Sequence, residues 1–201
     1  MHDNLERVGT YATPQSALIK SVAELSELNR LGLKIAYLGV ESGDEEVLRR
    51  VNKGATYAQI VDAGRRLKEA GITTSVTVIL GLGGVEGSER HARATGRILT
   101  EIDPDFVGAL TLILVPGTPL YQDWQEGRFS PIPPLQSLAE LKTIIENSDF
   151  TRCFFTANHA SNYLPVKARL PEQKGEVLAL LNDILTRKDS SQLRPEFLRA
   201  L

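Results

Sequence analysis

Four apolar segments rich in β-branched residues alternate with stretches of helical period over the first 120 residues, and this alternation constrains the fold most strongly. The segments lie at 7–12, 34–40, 73–80 and 106–115. Strand and helix repeating in this way form right-handed parallel βαβ units. The sequence therefore predicts an α/β fold, either an open doubly wound sheet or a (β/α) barrel. The third and fourth segments are apolar enough to predict strands covered on both faces.

The pattern changes after residue 120. A proline-rich stretch, a short apolar run at 153–155 and a polar loop at 158–163 interrupt segments of helical period. We therefore expect two regions, a partial barrel at 1–120 and a mostly helical extension at 121–201 that packs on it.

Composition places the chain among globular proteins and limits its partners. Of its 201 residues 42% are hydrophobic and 24% are charged, which is typical of a folded domain. No apolar run reaches the roughly 18 residues of a membrane helix, and the start lacks the pattern of a signal peptide, so we expect a cytoplasmic protein without a membrane partner. The net charge of -2 does not favour nucleic acid, although a local basic patch is compatible with this average.

Cys153 is the single cysteine of the sequence. It excludes an internal disulfide, a zinc site made of cysteines and any cluster held by three thiolates of this chain. The histidines fit no zinc spacing, and no serine, histidine and acid are ordered as a catalytic triad. We therefore predict no metal site within these residues and assign no catalytic residue.

The glycine-rich turn after the third segment does not match a classical phosphate loop. Gly81, Gly83 and Gly84 lack the third glycine of the dinucleotide fingerprint, because Glu86 stands there, and no Gly-Lys-Ser/Thr ending follows. Two interpretations remain open: a turn that needs positive φ, or a backbone that a flat ring such as adenine can approach.

Polar side chains also follow the second segment. Glu41 could accept hydrogen bonds from a ribose diol, or could simply lie near the start of a helix capped by Ser42 or Asp44. Lys53 could pair with a ligand carboxylate, or could be a solvated lysine at a helix end.

Two histidines lie in polar surroundings. His91 is in the charged opening of a helix, where we expect an exposed side chain. The loop at 158–163 contains Asn158, His159 and Asn162, which could contact a substrate or could stabilise a structural turn.

Four strings, in this order, resemble the radical SAM superfamily, specifically the Fe-S oxidoreductases related to oxygen-independent coproporphyrinogen oxidase and the methylthiotransferases. They are YLGVESG at 37–43, VLRRVNKGAT at 47–56, VILGLGG at 78–84 and VPGTPL at 115–120. The resemblance implies a (β/α)6 partial TIM barrel in which the four strands match the family's third to sixth.

The resemblance also implies a site for S-adenosylmethionine. Glu41 matches the residue that holds the ribose, and Lys53 matches the basic residue that meets the methionyl carboxylate. Adenine would lie against the turn after the third strand and the backbone after the fourth. The full set of cofactor-binding residues implied is Glu41, Ser42, Lys53, Thr77, Leu80, Gly81, Val115 and Pro116.

Three departures from the family pattern bear on function. Thr77 stands where relatives often have aspartate, and Gly84 stands where a glutamate is usual. The Cys-x-x-x-Cys-x-x-Cys motif that binds a [4Fe-4S] cluster, together with the strand before it, is not in this sequence. We therefore expect a C-terminal fragment of a radical SAM enzyme, inactive by itself, with the cluster present only in a full-length parent.

Two alternatives remain at this level. The chain could be a non-catalytic half-barrel that binds or scaffolds without cluster chemistry. It could also be an unrelated TIM-barrel enzyme that uses Glu41 and Lys53 as an acid-base pair or a Schiff-base lysine. If the first strands are missing, the segment at 7–12 is a sheet edge through which the chain could self-associate.

Overall fold

A single sheet organises the structure, a computed structural model that describes residues 7–188 and 190–200. Within these residues the strands pair in the sequential order β1 to β6; β1 to β5 run parallel and β6 is antiparallel to β5. The α/β fold with an open, mostly parallel sheet that the sequence predicts is confirmed. The strands are β1 (Val8–Ala12), β2 (Leu33–Glu41), β3 (Thr73–Leu80), β4 (Phe106–Thr111), β5 (Cys153–Thr156) and β6 (Lys167–Leu170).

Helices connect the strands, and local sequence sets where most of them begin. Thr56 caps α4 through a capping box with Gln59, as the Thr-x-x-Gln spacing predicts. None of the described helices is long and apolar enough to cross a membrane. The helices are α1 (Pro14–Leu18), α2 (Val22–Arg30), α3 (Glu45–Arg50), α4 (Tyr57–Glu69), α5 (Gly84–Ile102), α6 (Pro119–Gln125), α7 (Pro134–Glu146) and α8 (Lys174–Arg187), with a 3₁₀ turn at Glu196–Leu198.

Within the described residues, one face of the sheet is buried and the other is more exposed. Along β3 the side chains of Thr74, Val76, Val78 and Leu80 are buried, whereas those between them are half-exposed. β2 and β4 alternate in the same way from their second or third residue on. The expectation that β3 and β4 are covered on both faces is therefore wrong for the described residues. Apolar content did not reveal this, because residues such as Ile79 are apolar on the open face as well.

The two borders of the sheet differ from each other. β1 has one strand neighbour, β2, and its residues are exposed except for the half-buried Ala12. The predicted edge is confirmed, and self-association through it stays a prediction. The other border is β6, which returns antiparallel to β5.

The second half of the chain contributes more to the sheet than its sequence pattern indicates. Beyond residue 120, where we expected mostly helix, β5 and β6 extend the sheet by four residues each. β4 is shorter than predicted and ends at Thr111 rather than Val115. Leu112 still donates a backbone hydrogen bond to Leu80 at 2.9 Å, after which the chain leaves the sheet toward Pro116.

Candidate functional site

Glu41 and Lys53 are brought together at the carboxyl end of β2. Lys53 Nζ lies 3.1 Å from Glu41 Oε1, and their side chains are 15% and 23% exposed. Glu41 has a left-handed backbone with a φ of 65°, and a register shift separates it from Gly39 in the pairing with β3. A β-bulge of this kind changes the direction of a side chain at a strand end. Glu41 and Lys53, which are 12 residues apart in the sequence, thus form one partly buried ion pair.

Gly39 makes room for this ion pair. A Cβ atom at Gly39 would lie 2.5 Å from Glu41 Oε1 and 3.0 Å from Lys53 Nζ. In the strand register Gly39 is level with Thr77 on β3, and Thr77 is level with Gly108 on β4. Gly39 and Gly108 have no side chains, so the open face is shallow beside the Glu41–Lys53 pair. The Thr77 side chain lies between these two glycines in the cross-strand row.

The turn after β3 is held by its backbone. Gly81 has a φ of +82° and donates its amide to Glu140 Oε1 on α7. Leu80 is 2% exposed and its side chain belongs to the core under the helices, so only its backbone is available to a ligand. The positive φ agrees with the turn interpretation of these glycines, and it leaves the interpretation as an adenine site open.

A buried polar network underlies this turn. His91 Nδ1 lies 2.8 Å from Ser42 Oγ, and its Nε2 lies 3.1 Å from the Ile79 carbonyl and 3.3 Å from Glu140 Oε1. The Glu140 carboxylate also accepts hydrogen bonds from Gly81 and Ser88. The expectation that His91 is exposed is wrong, because its helix face turns toward β3 and α7.

Sequence reasoning did not identify Glu140. The sequence of α5 did indicate a buried polar group. Ala92, Thr95 and Leu99 lie on its buried face, and His91 and Ser88 lie on the same face toward the start of the helix. A histidine and a serine on a buried helix face require polar partners. The partner itself lies 49 residues beyond His91, on α7, and the pattern of α7 does not mark it.

Ser42 and Asp44 have structural partners. The Ser42 side chain is fully buried, and its hydroxyl accepts the Asp44 amide at 2.9 Å. Asp44 caps α3 and pairs with Arg90. Burial alone would raise the pKa of Asp44, but hydrogen bonds from Arg90 and from the amides of Val47 and Glu46 lower it below its usual value.

The loop after β4 separates two cavities. Val115 and Pro116 are exposed, and Val115 lines a cavity of about 340 Å³ together with Arg50 and Leu82. Residues 112–114 line both this cavity and a second cavity of about 590 Å³. Gly81, Trp124 and Tyr163 contribute to the second cavity.

The polar loop after β5 divides into exposed and structural residues. Asn158 and His159 are exposed, whereas Asn162 is 2% exposed. Asn162 donates to the Ala109 carbonyl at 2.9 Å and accepts from the Thr111 hydroxyl at 2.8 Å. Among the three predicted substrate residues, Asn162 thus holds the loop against β4.

A C-terminal segment fastens this loop. Arg194 donates to the carbonyls of His159, Ala160 and Asn162. Arg199 donates to the Leu112 carbonyl at 2.7 Å, and its guanidinium lies 4.3 Å from the centre of the Tyr163 ring. One wall of the 590 Å³ cavity is therefore formed by residues near position 199.

The radical SAM resemblance implies two groups, and the described residues offer donors for only one of them. The described residues contain no group of three or more His, Cys, Asp and Glu side chains placed to hold a metal ion. Cys153 is 2% exposed, and burial raises the pKa of its thiol to about 12. These residues do not fit a [4Fe-4S] cluster. Glu41, Lys53 and the Gly81 turn, by contrast, offer a carboxylate, an ammonium and an open backbone, which fit S-adenosylmethionine.

The open, mostly parallel sheet places the protein in the α/β class, whose members commonly bind ligands at the carboxyl ends of the strands. Residues 6–94 match the family model described as "Radical SAM superfamily". This match to the radical SAM superfamily covers somewhat less than half of the chain.

Two curated relatives are similar to about half of the chain. A tRNA uridine(34) acetyltransferase of Methanocaldococcus infernus is 29% identical over 113 residues, which cover 55% of this chain and 21% of the relative. One of Dehalococcoides mccartyi is 29% identical over 114 residues, which cover 55% and 24%. The chain thus spans about a fifth of the length of these relatives.

A solved structure supports the fold. The Methanocaldococcus infernus Elp3 with an N-terminal deletion superposes with a TM-score of 0.59 at 19% identity, over 90% of this chain and 42% of that one. The superposed part of the chain is larger than the segment of 6–94 that the family model matches.

Proposed function

We propose that this chain supplies part of an S-adenosylmethionine site in a radical SAM enzyme, with the family's chemistry taking place in a longer parent protein. The observation that carries the proposal is the Glu41–Lys53 pair at the carboxyl end of β2, inside the segment that matches the family. When bound in such enzymes, the cofactor supplies the precursor of a radical.

The pair has the chemistry to hold both ends of this ligand. Glu41 Oε1 would accept hydrogen bonds from the ribose hydroxyls, and Lys53 Nζ would turn from Glu41 to the methionyl carboxylate. A charge-assisted contact of this kind replaces the existing one, so the ammonium is not left unpaired. Gly39 and Gly108 leave room on the open face beside them. The adenine would lie against Gly81 and the backbone toward Val115 and Pro116.

Isothermal titration of the chain with S-adenosylmethionine tests the proposal. We expect weak binding by the chain, and a loss of about tenfold in affinity in Lys53→Ala and in Glu41→Gln. Lys142→Ala is the matched control, because Lys142 also pairs with a carboxylate, Glu146, at 2.7 Å. Equal affinity in Lys53→Ala and the wild type would remove Lys53 from the site, and no binding by the wild type would refute the proposal.

A second candidate is a module that binds without cluster chemistry. One observation favours it: the single thiol of the sequence is buried and has a raised pKa. Both this chain and a version extended upstream are incubated anaerobically with iron and sulfide, and absorption spectroscopy shows whether a cluster forms. The comparison distinguishes the enzyme from the module. A cluster in the extended version alone supports the enzyme, and no cluster in either supports the module.

A further inference from the structure

A trough of about 780 Å³ lies on the open face of the sheet, at the opposite end from Glu41 and Lys53. It is lined by residues at the amino-terminal ends of the strands, among them Lys34 on β2, Thr73 on β3 and Cys153 on β5. Its volume is within the range of small-molecule sites. The trough lies outside the proposed cofactor site and does not depend on it.

The floor of the trough is a cross-strand row of aromatic residues with one gap. Tyr37 is level with Ser75, Ser75 with Phe106, and Phe106 with Phe154. All four line the trough. Neighbouring strands are about 4.8 Å apart, so Tyr37 and Phe106 lie on backbones separated by roughly 9.6 Å with only a serine between them. The gap is a slot that a flat ring can enter, with aromatic walls and a hydroxyl below.

The rim of the trough is basic, although the whole chain is slightly acidic. Arg7, Lys34, Arg152 and Arg169 line it, against two carboxylates, Asp105 and Glu172. The local formal charge is therefore +2, in a chain whose net charge is -2.

The arginines of this rim are free to bind an anion. None of the described carboxylates forms a salt bridge with Arg7, Arg152 or Arg169, and all three side chains are exposed. The Arg169 guanidinium lies 5.9 Å from the centre of the Phe154 ring, so the cationic rim and the aromatic floor meet at this point.

We propose that this trough binds a small anion that carries a flat aromatic ring, with the size and chemistry of a mononucleotide. The base stacks over Ser75 between Tyr37 and Phe106, and the phosphate contacts Arg152 and Arg169. Ring stacking and guanidinium–phosphate hydrogen bonds are the interactions that recognise such ligands. The limited volume of the trough and the net charge of -2 favour a mononucleotide over a nucleic-acid strand, which needs a longer basic path.

Isothermal titration with AMP, adenosine and inorganic phosphate tests the two halves of the site. We expect AMP to bind at one site per chain, more tightly than adenosine or phosphate, and more weakly as NaCl is raised. The double variant R152A/R169A should lose about tenfold in AMP affinity or more. Arg97→Ala is the matched control, because Arg97 is also exposed but lies on α5, on the helical side of the sheet, and its AMP affinity should stay within twofold.

A second variant tests the slot without removing an aromatic residue. Ser75→Val fills the gap between Tyr37 and Phe106, and we expect the affinity for AMP to fall to that for inorganic phosphate. Circular dichroism would verify that the sheet is retained. Absence of AMP binding by the wild type, an equal loss in Arg97→Ala, or binding of a single-stranded RNA oligonucleotide without binding of AMP would each overturn the proposal.

Discussion

Glu140 and His91 form a pair whose side chains are both fully buried, with Oε1 and Nε2 3.3 Å apart. The Glu140 carboxylate also accepts a hydrogen bond from the Gly81 amide, and the His91 imidazole is hydrogen-bonded to the Ser42 hydroxyl. One network therefore joins the end of β2, the turn after β3 and the helices α5 and α7. The backbone of the proposed cofactor site is therefore held by buried polar side chains.

Replacing Glu140 tests how much this network stabilises the fold. Glu140→Ala leaves the Gly81 amide and the Ser88 hydroxyl without their acceptor and removes the buried carboxylate beside His91, and we expect a loss of about 3–5 kcal/mol in the free energy of unfolding. Urea denaturation measures it. On the same helix, Glu146→Ala removes a more exposed partner of Lys142 and should cost ~0.5 kcal/mol or less. Similar losses in both variants would contradict the role of the network.

Two glycines on one cross-strand row give a matched comparison. Gly39→Ala places a methyl group against the Glu41–Lys53 pair, whereas the nearest atom to a Cβ at Gly108 is the Val76 carbonyl oxygen, 3.9 Å away. We expect Gly108→Ala to be neutral or slightly stabilising and Gly39→Ala to be less stable than it by roughly 1 kcal/mol in urea. Gly39→Ala should also weaken S-adenosylmethionine binding, and Gly108→Ala should do so less. The reverse order would show that the pair can move aside without cost.

The lowered pKa of Asp44 predicts a pH dependence of stability. Because the folded-state pKa lies below the unfolded value of about 3.9, the ionised carboxylate stabilises the fold above this pH. That contribution is lost as the pH falls through the folded-state pKa. Asp44→Asn retains a capping side chain and should lose roughly 1 kcal/mol at pH 7, and this difference from the wild type should shrink on acidification. Urea denaturation between pH 7 and pH 3 checks it, and a difference independent of pH would be inconsistent with a role for the charge.

Cys153 should be unreactive in the folded protein. With a pKa of about 12, only about one thiol in 10⁴ is ionised at pH 8, and the thiolate is the nucleophile. We expect labelling by iodoacetamide to be slower by orders of magnitude in buffer than in urea, as followed by mass spectrometry. Fast labelling of the folded chain would show that the strand β5 opens readily.

The first half of the fold could be predicted from the sequence because its strands are long and their ends carry clear turn residues. β3 spans the predicted residues, and the edge position of β1 is as expected. β5 and β6 are four residues each, too short for an alternation to be recognised. β4 stops early because its continuation is fixed by Arg199 and the loop at 158–163 rather than by local sequence.

Prediction of the candidate site from the sequence has the same limit. Glu41 and Lys53 belong to a recognisable string, and the structure brings them into contact; that they bind a cofactor stays a prediction. Ser42 belongs to the same string but points into the core, because its hydroxyl is a partner of His91. A sequence motif identifies a candidate residue, but it does not show which helix packs against that residue.

The contact between Arg199 and the Leu112 carbonyl joins residues 87 positions apart. On the ribosome, the end of β4 therefore emerges long before its partner has been made, and the carbonyl remains with water until then. The sheet can form from its early strands, but the wall beside Tyr163 closes only when position 199 has left the exit tunnel. During synthesis, therefore, the sheet can form before the cavity beside it is closed.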